Sequence, residues 1–94
     1  MFTEEEKELV LNVLTYEKKY LDQKKDENTR SDFMMIKHLI TKITHFFDGS
    51  LYENEMKFLD TLIAKHKEML ESVKRVDLEG YIHQLSNLRK KLTV

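Results

Sequence analysis

Large apolar residues recur along the chain at intervals of three and four positions, the spacing that places side chains on one face of an α-helix. Four stretches carry this pattern, and short polar segments separate them. Proline is absent and glycine occurs twice, so the chain lacks the turn residues that a β architecture requires. The pattern predicts helices over residues 4–27, 32–47, 51–75 and 78–92.

Each predicted helix carries one apolar stripe, and we expect these stripes to form the hydrophobic core. The first stripe comprises Leu9, Val10, Val13, Leu14, Tyr20 and Leu21. The second comprises Phe33, Ile36, Ile40, Ile43 and Phe47, with Met35, Leu39 and Phe46 beside it. The third comprises Phe58, Leu59, Leu62, Ile63, Met69, Leu70 and Val73. The fourth comprises Leu78, Tyr81, Ile82, Leu85, Leu88 and Leu92.

The helix starts are marked by polar residues with capping-box spacing. Thr3 and Glu6 predict that the first helix begins at residue 4, and Ser50 and Glu53 repeat the spacing before the third helix. Gly49 can adopt the left-handed conformation that ends a helix. We therefore expect a tight turn between the second and third helices, centred on Gly49.

The boundary between the third and fourth helices is less clearly marked. The apolar stripe of the fourth helix lies about one position later than a continuation of the third would place it. Gly80 also lies here, and glycine destabilises a helix interior by about 1 kcal/mol. These features favour a break at residues 76–79, although one long helix with a stutter is the alternative.

An internal repeat is suggested by shifting the sequence by 49 positions, which aligns the apolar residues of the first two helices with those of the last two. Any two amphipathic helices match once their phases agree, and the two predicted capping boxes lie 47 positions apart, which disagrees with the shift. Either origin predicts the same fold, an all-α, antiparallel four-helix domain of two αα-hairpins that spans residues 1–94.

Charge and composition exclude several classes of function. The net charge is −1 and the pI about 6.4, so no overall field attracts nucleic acid or an anionic membrane. No apolar run approaches the roughly 18 residues of a transmembrane helix. Cysteine is absent, which fits a reducing compartment, and the acidic start does not resemble a secretory signal. We expect a cytoplasmic protein, and the excess of lysine over arginine hints at a bacterial or phage source.

The histidines do not have the spacing of a metal site. His38 and His45 share a helix face but stand roughly 10 Å apart along the axis, too far to bind one zinc ion. His66 lies between Ile63 and Leu70 on an apolar face, where a histidine with one hydrogen-bonded nitrogen is the usual occupant. We expect no metal and no cofactor.

The sequence also lacks the pattern of an enzyme. There is no glycine-rich phosphate loop, and no serine has a recognisable base near it. Acidic residues crowd the start of the first helix and basic residues the end of the fourth, where the helix dipole favours them. The prediction is a non-enzymatic protein. The alternative is a nucleic-acid-binding regulator that uses a basic patch of Lys74, Arg75, Arg89, Lys90 and Lys91.

The second predicted helix is unusually apolar, because nine of the fifteen residues from Phe33 to Phe47 are large and apolar. Such a helix is either central to its own core or covered by another chain. Met34 lies off the main stripe, so it is the apolar residue that the core needs least. We predict a protein contact or a homodimer interface on this flank. The candidate interface residues are Met34, Met35, His38, Phe46 and Phe47, with Leu11 on the first helix.

These patterns favour a protein–protein interaction module over an enzyme or a nucleic-acid-binding protein. Roles that fit the class are a regulator, an inhibitor, an immunity-type neutraliser or a phage-encoded modulator of a host protein. The partner is expected to be a protein, either a different one or a second copy of the chain, and not a membrane.

Overall fold

Four α-helices make up most of the chain in the computed structural model, which describes residues 2–24, 27–45 and 51–92. About 93% of these residues are helical, and no strand occurs among them. The helices are α1 (Glu4–Lys24), α2 (Arg30–His45), α3 (Glu53–Val73) and α4 (Glu79–Leu92), with 3-10 turns at Glu27–Thr29 and Val76–Leu78. The predicted all-α class and the two-hairpin organisation are confirmed.

The chain divides into two compact units, residues 1–50 and 51–94, and each is an αα-hairpin. In the first hairpin α1 packs against α2. The predicted capping box is present at its start, because the Thr3 amide donates to Glu6 Oε1 at 2.9 Å and the Glu6 amide donates to Thr3 Oγ1 at 3.1 Å. That residues 1–94 form one domain stays a prediction.

The interior of the first hairpin follows the predicted stripes, except that Phe33 and Ile40 are only half-buried and that α1 requires two corrections. Tyr20 is 39% exposed, and its ring lies under the Lys24 ammonium, 4.6 Å from the ring centroid. Glu17 takes its place on the buried face of α1 and is only 4% exposed. Phe46 and Phe47 lie outside the described residues. The buried apolar residues are Leu9, Val10, Val13, Leu14, Leu21, Ile36, Leu39 and Ile43.

The start of the second hairpin differs from the prediction. Helix α3 begins at Glu53, and the Tyr52 amide donates to Glu55 Oε1 at 2.8 Å. Glu53 is therefore the first residue of the helix and cannot be the third residue of a box capped by Ser50. The predicted turn around Gly49 and the Ser50 cap itself lie outside the described residues.

Helices α3 and α4 are separate, as the displaced apolar stripe of the fourth helix predicted. Lys74 ends α3 in the left-handed conformation, at φ 55°, and its amide donates to the Glu71 carbonyl at 3.2 Å. Helix α3 ends at Val73, two residues earlier than predicted, whereas α4 begins at Glu79, at the end of the predicted break. Gly80 lies inside α4 and does not form the break.

The second hairpin is antiparallel, because its contacts pair late α3 with early α4 and early α3 with late α4. The rings of His66 and Tyr81 are 6.1 Å apart, and Arg89 Nε donates to Asp60 Oδ1 at 2.9 Å. Met69 and Val73, both predicted to be core, are 36% and 51% exposed. The buried apolar residues are Leu51, Leu59, Leu62, Ile63, Leu85, Leu88 and Leu92.

The two hairpins match element for element at a shift of 49 residues. This shift converts the bounds of α1 into those of α3 and the bounds of the first 3-10 turn into those of the second, and it places the first residue of α2 on that of α4. It also aligns the hydrogen bond from Thr3 to Glu6 with the one from Tyr52 to Glu55. The capping sites therefore agree with the repeat, and the apparent spacing of 47 came from the incorrect choice of Ser50.

The repeat extends to the buried positions. Ile36, Leu39 and Ile43 are the buried residues of α2, and the shift converts them into the buried residues of α4. The buried polar residues Glu17 and His66 also occupy equivalent positions on α1 and α3. The structure thus supports the internal repeat with details that helical periodicity alone does not require. The equivalent residues of α4 are Leu85, Leu88 and Leu92.

Candidate functional site

The face of α2 opposite its buried residues carries an exposed methionine. Met34 is 58% exposed. At about 100° per residue, it projects about 180° away from the middle of the buried stripe of α2. His38, Thr41 and His45 follow at helical spacing and are also exposed. We call these four residues the Met34 face.

The other predicted interface residues are distributed differently. Met35 is half-buried and lies one position around the helix, so it borders the core and not the Met34 face. Leu11 is half-buried on α1. Of the six predicted residues, the structure places Met34 and His38 on one exposed face, while Phe46 and Phe47 lie outside the described residues.

The charges on α2 are mainly positive. Arg30, Lys37 and Lys42 outnumber Asp32, the single carboxylate between Arg30 and His45. The Lys37 ammonium lies 5.7 Å from the centroid of the Phe33 ring, which places a cation on an aromatic face. The helix that bears Met34 therefore has a net positive charge.

The second hairpin provides an internal comparison for Met34. The repeat places His83 at the equivalent position of α4, where it is also exposed. A polar side chain thus occupies this position in the same local fold. The hairpin does not require an apolar residue there, and the methionine needs another explanation.

A groove lies beside the turn between α3 and α4. It has a volume of about 270 Å³. Val76 is 79% exposed there, and Val73 is exposed in the last turn of α3. The repeat places Lys24 and Glu27, both exposed, at the corresponding positions of the first hairpin. The groove is lined by Leu70, Glu71, Lys74, Arg75, Val76, Glu79 and Ile82.

Sequence reasoning missed the exposed apolar surface beside this groove because Val73 continued the apolar stripe of the third helix and was assigned to the core. A signal was available in the 49-residue shift, which pairs Val73 with a lysine and Val76 with a glutamate. Core positions keep their polarity between repeats, whereas these two positions do not.

His66 is buried on α3 and meets Tyr81 of α4 edge to face, with ring planes at 77°. Burial lowers the pKa of His66, because removal from water disfavours the imidazolium form. Burial likewise raises the pKa of Tyr81 by disfavouring the phenolate. This pair has the features of a buried structural contact, which agrees with the predicted position of His66 on an apolar face.

The residues of the predicted basic patch lie near opposite ends of α4. Ten residues separate Glu79 from Arg89, which corresponds to about 15 Å along the axis, so Lys74 and Arg75 lie near the opposite end. Arg75 binds Asp77 through two hydrogen bonds of 2.7 and 3.1 Å. The hydrogen bond to Asp60 raises the pKa of Arg89. Both arginines are thus paired with carboxylates, and the structure does not collect the five predicted residues into one surface.

Among residues 2–24, 27–45 and 51–92, no group of three or more histidine, aspartate or glutamate residues could hold a metal ion. No helix in these ranges combines the length and apolarity needed to cross a membrane.

Comparisons with known proteins identify no relative of the chain. No protein family matches the chain, and no significant similarity was found to a curated protein or to a solved structure.

Proposed function

We propose that the chain is a non-enzymatic protein-binding module and that the Met34 face is its contact surface for a different protein. The observation that carries the proposal is the exposure of Met34 on the side of α2 opposite the core. An exposed large apolar side chain is a candidate for burial in a complex, and methionine adapts its shape to irregular protein surfaces.

The internal repeat strengthens this assignment. His83 occupies the equivalent position in the second hairpin, so local folding does not account for the methionine. The remaining residues of the Met34 face are two histidines and a threonine, which can form hydrogen bonds at the rim of an interface.

The charges of α2 favour one kind of partner. A helix that carries three basic residues and one acidic residue fits a protein with an apolar pocket bordered by carboxylates. Met34 would fill the pocket, and the basic residues would increase the association rate at low ionic strength. A regulator or inhibitor of another protein would act through such a contact.

The test compares tagged wild-type chain with Met34→Glu and His83→Glu as bait in an extract of the source cells. Both variants place the same carboxylate at equivalent exposed positions of equivalent hairpins, so the second is a matched control. We expect one partner to be retained by the wild type and by His83→Glu, and to be lost with Met34→Glu. Far-UV circular dichroism should show all three chains to be equally helical.

A direct measurement follows with the purified partner. Calorimetry should show that Met34→Glu weakens binding by at least tenfold, while His83→Glu changes it by less than about twofold. Equal retention of the partner by Met34→Glu and the wild type would refute the Met34 face as the contact surface. An equal loss with both variants would also count against it, because the effect would then depend on added charge and not on position.

A further inference from the structure

The groove between α3 and α4 is the second surface on which the hairpins differ in polarity. Val73 and Val76 leave much of their apolar surface in water, although lysine and glutamate serve at the same positions of the first hairpin. Leu70 and Ile82 continue the apolar surface into the groove. The folding of a hairpin therefore does not explain these valines, whereas burial against a binding partner would.

The charges around the groove are balanced. Lys67 pairs with Glu71 at 3.4 Å, and Arg75 pairs with Asp77 at 2.7 Å. Two further charged residues of opposite sign, Lys74 and Glu79, line the groove without forming an ion pair with any residue that the structure describes. Of the described residues that line the groove, Lys74 and Glu79 thus supply a cation and an anion beside an apolar patch.

Such a surface is complementary to itself. In a two-fold symmetric dimer every contact occurs twice. If one residue of the first copy contacts another residue of the second copy, the same two residues also meet with the copies exchanged. Lys74 of one copy can therefore meet Glu79 of the other, and the reverse pair forms at the same time. A strongly acidic or basic partner would gain from one of these charges and be opposed by the other.

We propose that the groove binds a second copy of this chain in a two-fold symmetric dimer. Val73 and Val76 of the two copies pack together, and Lys74 pairs with Glu79 of the second copy on both sides of the axis. The patch is small compared with a standard protein interface, so the dimer is weak, with a dissociation constant on the order of micromolar. This inference is independent of the Met34 face, which stays available to a different protein.

Charge reversal tests the pairing through sedimentation equilibrium at low ionic strength. Lys74→Glu and Glu79→Lys each place like charges opposite each other twice per dimer, and each should weaken self-association by roughly tenfold or more. An equimolar mixture of the two variants restores both opposite-charge pairs and should form a heterodimer about as strong as the wild-type dimer. The double variant should regain the homodimer for the same reason.

Substitution of Val76 tests the apolar part of the surface. Val76→Glu introduces the residue type that the first hairpin carries at this position, so folding should be preserved while dimerisation is lost. Met34→Glu serves as the control and should leave the dimer intact. Far-UV circular dichroism of each variant verifies that the helices persist, in particular for Glu79→Lys, which places a cation at a helix N-terminus.

Three results would overturn the proposal. The first is a wild-type chain that stays monomeric at concentrations up to roughly 1 mM, where a dimer with a micromolar dissociation constant would be almost fully formed. The second is a mixture of Lys74→Glu and Glu79→Lys that associates no better than either variant alone. The third is a folded Val76→Glu variant that dimerises as the wild type does. Loss of the dimer in Met34→Glu with retention in Val76→Glu would assign dimerisation to the other surface.

Discussion

His66 is a buried titratable group, and we predict that it makes the free energy of unfolding depend on pH. Only 6% of its surface is exposed, and burial lowers its pKa in the folded chain. In the unfolded chain a histidine titrates near pH 6.5. Between the lowered pKa and 6.5, the unfolded chain binds more protons than the folded chain, so the free energy of unfolding falls as the pH falls.

The size of the effect is limited by a single proton. One proton of difference corresponds to a slope of at most about 1.4 kcal/mol per pH unit. For a chain of this length, 1 kcal/mol shifts Tm by about 4–8 °C. Tm should therefore decrease by up to roughly 5–10 °C per pH unit below pH 6.5. The stabilising neutral state is complete above that pH and is lost as the pH falls.

The assay is urea unfolding, followed by far-UV circular dichroism, between about pH 7.5 and 5.5. This range stays above the titration of ordinary carboxyl groups near pH 4. His66→Gln keeps a polar side chain of similar length but removes the titration, so its unfolding free energy should change little across the range. His83→Gln removes an exposed histidine from α4 and should retain the wild-type slope.

Two outcomes would refute this reasoning. If the wild type is equally stable at pH 7.5 and 5.5, the buried imidazole does not resist protonation as its burial implies. If the slope is present but is the same in His66→Gln, another group is responsible. A slope that disappears only in His83→Gln would show that the exposed histidine, and not the buried one, couples to unfolding.

Two further predictions concern stability and are best measured in samples dilute enough to keep the chain monomeric. Lys74→Gly should raise the free energy of unfolding by roughly 1 kcal/mol, because glycine adopts the left-handed conformation at φ 55° without steric cost, and Lys74→Ala should give no such gain. Leu39→Ala and Leu88→Ala remove equivalent, fully buried side chains, and each should lower it by about 2–5 kcal/mol. A stabilising effect of Lys74→Ala, or a loss below about 1 kcal/mol at either leucine, would contradict these assignments.

Helical periodicity predicted the four helices because burial on one side of a helix imposes a spacing that is visible in the sequence. It was less informative about which residues of a stripe are covered. Val73 has the correct direction for the core, but it lies in the last turn of α3, where the chain leaves the helix through Lys74. Periodicity reports the direction of a side chain from the helix axis and not whether a neighbouring element reaches that turn.

Glu17 illustrates the opposite error. Its spacing of four from both Val13 and Leu21 places it in the middle of the buried stripe, yet the predicted stripe contained only apolar residues and included Tyr20. Carboxylates are rarely buried, so a rule based on residue type fails at the few positions where one is. The position of Glu17 could have been found from spacing alone.

The start of α3 was misplaced because two overlapping pairs have the same spacing. Ser50 with Glu53 and Tyr52 with Glu55 both separate a potential cap from a glutamate by three residues. Serine is the more usual cap, so the sequence favoured the first pair. The second pair is the one that forms, and Glu55 is buried there while Glu53 is exposed. Alignment with Thr3 at the 49-residue shift would have identified it.

The repeat separates residues that serve the fold from residues that serve a contact, because each hairpin shows what the other requires. Positions that are apolar and buried in both hairpins, such as Leu39 and Leu88, are needed for packing. At three exposed positions one hairpin carries a methionine or a valine and the other a polar or charged residue, so packing is not the reason for the apolar one. Substitutions of the apolar member of each pair should change binding while leaving the free energy of unfolding nearly unaltered, whereas substitutions at the shared buried positions should do the reverse. The three pairs are Met34 with His83, Val73 with Lys24, and Val76 with Glu27.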